Sequence, residues 1–132
     1  MKRGEIFFCK NFVFSDTTET GMKYLVILNT PPAEKPFLGI LTTTKPRLNW
    51  TQNPGCYAPD GYYFIKAGTE WFPLSTWLKF NHVYEFPHAE AIDKETQSVF
   101  KNRGCLTPDR CNSVVNCIKN SFDITKEQIS LL

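Results

Sequence analysis

Apolar and polar positions divide the chain into a strand-like first part and a helix-like last part. Short apolar runs rich in aromatic and β-branched residues are bounded by Gly, Pro and Asn, which is typical of strands. They cover residues 4–10, 21–29, 37–41, 62–68 and 76–86, and Asn81 and His82 interrupt the last run. Loop 30–36 holds three prolines, which cannot donate to a sheet ladder, so we expect a turn that stands away from the sheet.

The spacing of apolar residues changes to that of a helix near the C-terminus. After Pro108 and Asp109, one apolar stripe contains Cys111, Val114, Val115 and Ile118, and the outer face contains Asn112, Asn116 and Lys119. Thr125, with Gln128 three positions later, predicts the cap of a short terminal helix. Residues 93–101 fit either a weaker helix or a strand. We therefore expect a small mainly β domain, a barrel or curled sheet with helices at one end.

Residues 46–61 predict a long surface loop, because they contain few aliphatic residues and several Pro and Gly turn signals. Such a loop in a small domain often carries function. Aromatic residues are dense around it, and at this density most of them are expected to fill the core. Trp50 and Tyr57 are the best candidates for exposure, and exposed rings can stack on nucleobases.

Composition fits one domain that spans residues 1–132, since 42% of the residues are hydrophobic. The 15 Lys and Arg against 13 Asp and Glu give a net charge of only +2, so an RNA-binding surface would have to be a local patch. Neither a signal peptide nor an apolar stretch of roughly 20 residues is recognisable, which predicts a cytoplasmic protein without membrane contact. The odd number of cysteines, 5 in all and with no Cys-x-x-Cys pair, agrees with a reducing compartment.

Several kinds of chemistry find no support in the sequence. His82 and His88 have no second ligand at metal-binding spacing, and Cys105, Cys111 and Cys117 are interpreted as small buried hydrophobes. The glycines form no phosphate loop, and Ser75 lacks the context of a hydrolase nucleophile. We therefore expect neither a metal nor a cofactor.

Cleavage or binding of an RNA phosphodiester remains, because the 2′-hydroxyl of RNA is itself the nucleophile and no metal is required. The protein then supplies a proton acceptor, a proton donor and a cation. Lys23 is the candidate cation, and Thr42 with the following threonines is expected to bind phosphate oxygens. The candidates for the remaining roles are Asp16 and Glu19 as bases and Lys45 and Arg47 as a basic edge.

Three segments resemble the MazF/PemK (Kid-like) family of toxins. They are Lys-Arg-Gly-Glu-Ile-Phe at 2–7, Gly-Met-Lys-Tyr followed by an aliphatic run at 21–28, and the strand at 38–42 that ends in threonine. The resemblance implies an SH3-like barrel with a C-terminal helix and a metal-independent endoribonuclease that cleaves single-stranded RNA. It also implies a homodimer and an antitoxin protein that neutralises it.

The chain departs from the family at the catalytic positions. Lys23 replaces the family arginine and loses its bidentate grip on phosphate, Tyr24 replaces a proline, and Thr42 is preserved in type. Ser75 falls nearest to the aspartate of some members, and residues 16–20 lack the histidine of others. The alternative is therefore a catalytically inactive barrel that acts as a nucleic-acid or protein binding module.

Overall fold

The computed structural model describes residues 1–10 and 22–132, and these residues form one antiparallel sheet with three α-helices. The strands are Glu5–Lys10 (β1), Met22–Ile27 (β2), Phe37–Thr43 (β3), Gly55–Tyr57 (β4), Tyr62–Ile65 (β5), Thr76–Lys79 (β6), Tyr84–Phe86 (β7) and Phe100–Cys105 (β8). The helices are His88–Thr96 (α1), Pro108–Ile118 (α2) and Lys126–Ser130 (α3). The sheet order is β4-β5-β6-β3-β2-β1-β8, with β7 also beside β3. The mainly β class is confirmed, and the SH3-like barrel stays a prediction.

Strands β1, β2 and β3 are buried on both faces of the sheet. Their register forms two rows of opposed residues, Ile6–Val26–Ile40 and Phe7–Leu25–Leu41. The first row joins a core cluster with α2, and the second joins a cluster with α1, β7 and β8. Successive side chains of a strand point to opposite faces, so the continuous apolar runs of these strands satisfy both clusters at once.

The outer edge of β3 pairs with two short strands in succession. Phe37 lies opposite Phe86 of β7, and Thr42 lies opposite Leu78 of β6. These strands are the halves of the run at 76–86, so the predicted break near Asn81 and His82 is confirmed. The last residues of β3, Thr42 and Thr43, therefore lie beside Leu78 and Trp77 of β6.

The C-terminal helices follow the sequence pattern. The Thr107 hydroxyl accepts a hydrogen bond from the N–H of Arg110 at the start of α2, and the predicted apolar stripe of α2 is buried. Thr125 and Gln128 form the expected capping box of α3. In the described ranges no helix is long and apolar enough to cross a membrane.

Strand β4 was not expected from the sequence, and a helix and a strand were expected over residues 93–101 only as alternatives. The predicted loop 46–61 contains β4, which pairs with β5, and residues 93–101 span the end of α1 and the start of β8. Strand β8 pairs with β1, and its central side chains are exposed. It therefore has no apolar alternation by which to recognise it.

A disulfide joins Cys56 of β4 to Cys117 of α2, with 5.6 Å between their Cα atoms. The interpretation of Cys117 as only a small buried hydrophobe is therefore wrong, and it is also wrong for Cys105, which is exposed, whereas Cys111 is buried as expected. The two cysteines are 61 residues apart, so their spacing carried no local signal. Disulfides persist in oxidising surroundings, so the cysteines no longer support a reducing compartment. The cytoplasmic location stays a prediction.

Glu70 connects the segment between β5 and β6 to the start of α2. Its carboxylate accepts hydrogen bonds from the Thr107 N–H at 2.9 Å, the Thr107 hydroxyl at 2.8 Å and Arg110 Nε at 3.3 Å. Arg110 also donates to the Tyr63 hydroxyl at 3.1 Å. Burial alone raises the pKa of Glu70, but these hydrogen bonds and the charge of Arg110 together hold it below its usual value of 4.5.

We expect Cys56→Ser to destabilise the protein strongly, because the disulfide closes a loop in the unfolded chain. For a separation of 61 residues the chain-entropy relation gives about 4 kcal/mol in the free energy of unfolding. Urea unfolding without reductant measures this loss. Cys105→Ser, which removes an exposed free thiol, is the control and should change stability little. Equal stability of Cys56→Ser and the unmodified protein would contradict the bond.

Glu70→Gln should lower the free energy of unfolding by about 1–2 kcal/mol at neutral pH, because it removes the charged acceptor of three hydrogen bonds. The folded pKa is lowered, so this contribution is complete above pH 4.5 and is lost as the pH falls through the folded value. Urea unfolding of both proteins between neutral and acidic pH measures the difference. It should shrink only below pH 4.5, and Glu34→Gln on an exposed loop should produce no such loss.

Candidate phosphate-binding site

A cavity of about 430 Å³ lies at the start of β2 and the ends of β3 and β6. Its walls carry three lysines, three threonines and one tyrosine: Lys23, Tyr24, Thr42, Thr43, Thr44, Lys45 and Lys79. Among the described residues, neither a carboxylate nor an imidazole lines it. We call this cavity the lysine pocket.

The register of the sheet brings these residues together. Leu25 of β2 lies opposite Leu41 of β3, and two further residues along the same register place Lys23 level with Thr43. Thr42 lies opposite Leu78 of β6, so Lys79, the next residue of this antiparallel strand, lies one position back along β3, level with Leu41 and beside Thr42. Apart from Thr76, the buried side chains of these strands are apolar, and the polar residues of the pocket lie where the strands leave the core.

The threonines differ in how their hydroxyl groups are used. Thr43 Oγ1 accepts from the N–H of Lys45 at 3.1 Å and donates to the carbonyl of Lys45 at 3.2 Å. This local turn fixes the backbone from which Lys45 projects. The hydroxyls of Thr42 and Thr44 have no hydrogen-bond partner within ranges 1–10 and 22–132, so they can donate to a ligand.

The charge of the lysine pocket favours an anion. Ammonium groups that line one cavity repel each other, and an anion between them relieves this repulsion. A phosphate group fits the donor set best, since each lysine supplies a point charge and each free hydroxyl a further donor. The pocket can therefore hold a phosphate and stabilise negative charge that develops on it.

Five of the residues predicted from sequence meet in the lysine pocket: Lys23, Thr42, Thr43, Thr44 and Lys45. Asp16 and Glu19 fall outside the described residues. Sequence reasoning missed Tyr24 and Lys79 as pocket residues. Lys79 had no local signal, because only the pairing of β6 with β3 brings it to the site.

The other predicted binding residues form a separate aromatic stack. Trp50 and Tyr57 both stack on buried Tyr62, with ring centroids at 4.5 and 4.8 Å, and the guanidinium carbon of Arg47 lies 5.5 Å from the centre of the Trp50 ring. The Tyr57 hydroxyl donates to the carbonyl of Asn53. Trp50 and Tyr57 are half-buried rather than fully exposed. Ring surface expected to contact bases is thus used within the protein.

The free thiols of the described chain are poor nucleophiles. Burial raises the pKa of Cys9 to about 12. Burial also raises the pKa of Cys111, and burial with nearby carboxylates raises that of Cys105. These thiols remain protonated at neutral pH, and the thiolate is the reactive form. The lysine pocket is therefore the better candidate for function.

Comparison with known proteins adds no relative to this picture. No family model matches the chain, and neither does a curated protein or a solved structure. The similarity to the MazF/PemK toxins stays a prediction that rests on the motifs at 2–7, 21–28 and 38–42. What the lysine pocket binds has to follow from its own geometry and charge.

Proposed function

We propose that this protein is a metal-independent endoribonuclease that cleaves single-stranded RNA, with the scissile phosphate in the lysine pocket. The observation that carries the proposal is the convergence of Lys23, Thr42 and two further lysines on one open cavity. RNA suits such a site because its 2′-hydroxyl attacks the neighbouring phosphorus. The protein then has to stabilise charge and move protons, and it need not supply a nucleophile of its own.

The cleavage step assigns a role to each side of the pocket. The 2′-oxygen bonds to phosphorus, the bond to the 5′-oxygen breaks, and the products are a 2′,3′-cyclic phosphate and a 5′-hydroxyl. Lys23 and Lys79 stabilise the negative charge that builds up on the phosphoryl oxygens, and Thr42 orients the phosphate. Tyr24 or a lysine ammonium protonates the departing 5′-oxygen, and Asp16 or Glu19, which precede β2, accepts the 2′-hydroxyl proton.

The proposal extends to the scaffold and its partners. The sheet is taken as an SH3-like barrel of the MazF/PemK type, working as a homodimer in the cytoplasm. An antitoxin protein would neutralise it by covering the lysine pocket. The mainly β sheet and the three family-like motifs support this part of the proposal.

A second candidate function is RNA binding without cleavage. It is favoured by one observation, that the described lining of the pocket contains no carboxylate or imidazole. Threonine hydroxyls and protonated lysines cannot accept a proton at neutral pH. In this case the barrel holds the phosphates of single-stranded RNA and acts as a binding module.

We expect the purified protein to cleave single-stranded RNA in the presence of EDTA, and Lys23→Ala to slow cleavage about 10²- to 10³-fold, the usual effect of removing one preorganised charge-stabilising group. Lys23→Arg keeps the positive charge and should retain much of the rate. Single-turnover cleavage of a labelled oligoribonucleotide measures both effects. Lys119→Ala, at the exposed position directly after α2, is the matched control.

The chemistry of the products provides an independent check on cleavage. A substrate with a 2′-deoxynucleotide at the cleavage position should be inert, and the upstream product of ordinary RNA should carry a 2′,3′-cyclic phosphate. Cleavage of the deoxy substrate, or activity that appears only with added metal, would contradict the mechanism. On expression in a host cell, growth arrest should be relieved by Lys23→Ala and not by Lys119→Ala.

We expect both proposed functions to show salt-dependent RNA binding that involves the pocket lysines. Each lost lysine–phosphate contact should reduce the slope of log K against log salt concentration by about 0.7 for a single strand. Titration of a 2′-O-methyl oligonucleotide, which has no free nucleophile, should show this change for Lys23→Ala and not for Lys119→Ala. Binding without cleavage of ordinary RNA would favour the second candidate, and absence of binding would contradict both.

A further inference from the structure

Tyr24 belongs both to the lysine pocket and to a row of aromatic rings on the sheet. It lies opposite Phe8 in the β1–β2 register, with 5.3 Å between the ring centroids. Tyr24 also contacts Trp71, with 5.2 Å between the ring centroids. Phe8, Tyr24 and Trp71 are all half-buried, so each keeps an accessible part. We call these three residues the aromatic row.

The position of Trp71 depends on Gly104 of β8. A Cβ atom at residue 104 would lie 2.7 Å from Trp71 Cδ1 and 2.8 Å from its Cγ. Real Cβ atoms do not approach other atoms so closely, so only glycine lets the indole ring lie against the strand at this point. The backbone therefore supports one end of the row.

Positive charge continues along the row away from the pocket. The guanidinium carbon of Arg103 lies 5.5 Å from the centre of the Phe8 ring, and Lys101 lies opposite Phe8 in the β1–β8 register. Both cations are exposed. The aromatic row thus joins the lysine pocket at its middle ring, Tyr24, and has two cations of β8 beside Phe8.

We propose that the aromatic row is a stacking subsite for the nucleobases next to the phosphate held in the lysine pocket. Flat rings bordered by cations match a single strand, in which every base has a π-face and every linkage a negative charge. Tyr24 makes the row continuous with the pocket. Trp50 and Tyr57 are less suited to this role, because each stacks nearly parallel on Tyr62, whereas the rings of the row meet at tilted angles of 50° and 56°. The inference rests on the proposed binding of RNA.

The test compares two 2′-O-methyl hexanucleotides, one with bases and one abasic, which carry the same number of phosphates. Fluorescence anisotropy should show the base-bearing strand bound at least about fivefold more tightly by the unmodified protein, as expected from stacking. Phe8→Leu and Trp71→Leu should each reduce this preference and leave the affinity for the abasic strand unchanged. Phe122→Leu, at an exposed phenylalanine outside the row, should leave it intact.

Two further variants separate stacking from charge and from folding. Lys23→Ala should weaken the binding of both oligonucleotides by the same factor and so preserve the ratio of their affinities. Gly104→Ala keeps every ring and charge but displaces Trp71, so it should reduce the base preference. If Trp71→Leu does not fold, Gly104→Ala and Phe8→Leu still test the stacking subsite.

The outcomes distinguish this inference from the function beneath it. Equal binding of the two strands by the unmodified protein would overturn the stacking subsite and leave the phosphate site standing. A base preference that persists in Phe8→Leu, Trp71→Leu and Gly104→Ala would also overturn it. The same conclusion would follow if sedimentation showed that these variants lose the preference only because they no longer self-associate. Failure of both strands to bind would overturn the proposed function together with the subsite.

Discussion

Burial of β1, β2 and β3 on both faces is the constraint on which the rest of the structure depends. The rows Ile6–Val26–Ile40 and Phe7–Leu25–Leu41 supply two core clusters, so the interior of these strands has no place for a charge without a partner. Polar residues are confined to positions where the strands leave the core. Lys23 and Thr42 occupy such positions, and the antiparallel register brings them to one edge. The same requirement for a two-sided core therefore concentrates positive charge in a protein whose net charge is only +2.

Local signals in the sequence predicted much of the fold. The stripe of α2, the capping box of α3 and the broken strand at 76–86 each depend on residues close together in the chain. Elements stabilised by distant partners were missed. Strand β8 is exposed along its centre and exists because β1 offers it an edge, and the bond between Cys56 and Cys117 joins residues 61 apart. The periodicity of apolar residues along the chain carries no information about such contacts.

The residues of the candidate site divide in the same way into those with a local signal in the sequence and those placed by distant contacts. Strand-end position identified Lys23, Thr42 and Lys45 from the sequence. Lys79 could not be identified in this way, because only the pairing of β6 with β3 brings it beside Thr42. Trp50 and Tyr57 were expected to offer free rings, but a buried tyrosine of β5 provides a closer partner for both. Aromatic residues in a loop thus reveal little about exposure until their neighbours are known.

Selectivity for single strands requires more than the charge of the lysine pocket. Lysine ammonium groups attract any phosphate, and a duplex carries more phosphates per unit length than a single strand. Aromatic rings on the surface of a sheet select single strands, since a base can stack on them only when it is not stacked within its own helix. On the proposed function, a strand held at the pocket would meet the aromatic row at the next nucleotide, because Tyr24 belongs to both features. In the proposed function, general attraction and choice of substrate therefore meet on one strand, β2, which contributes Lys23 to the pocket and Tyr24 to both features.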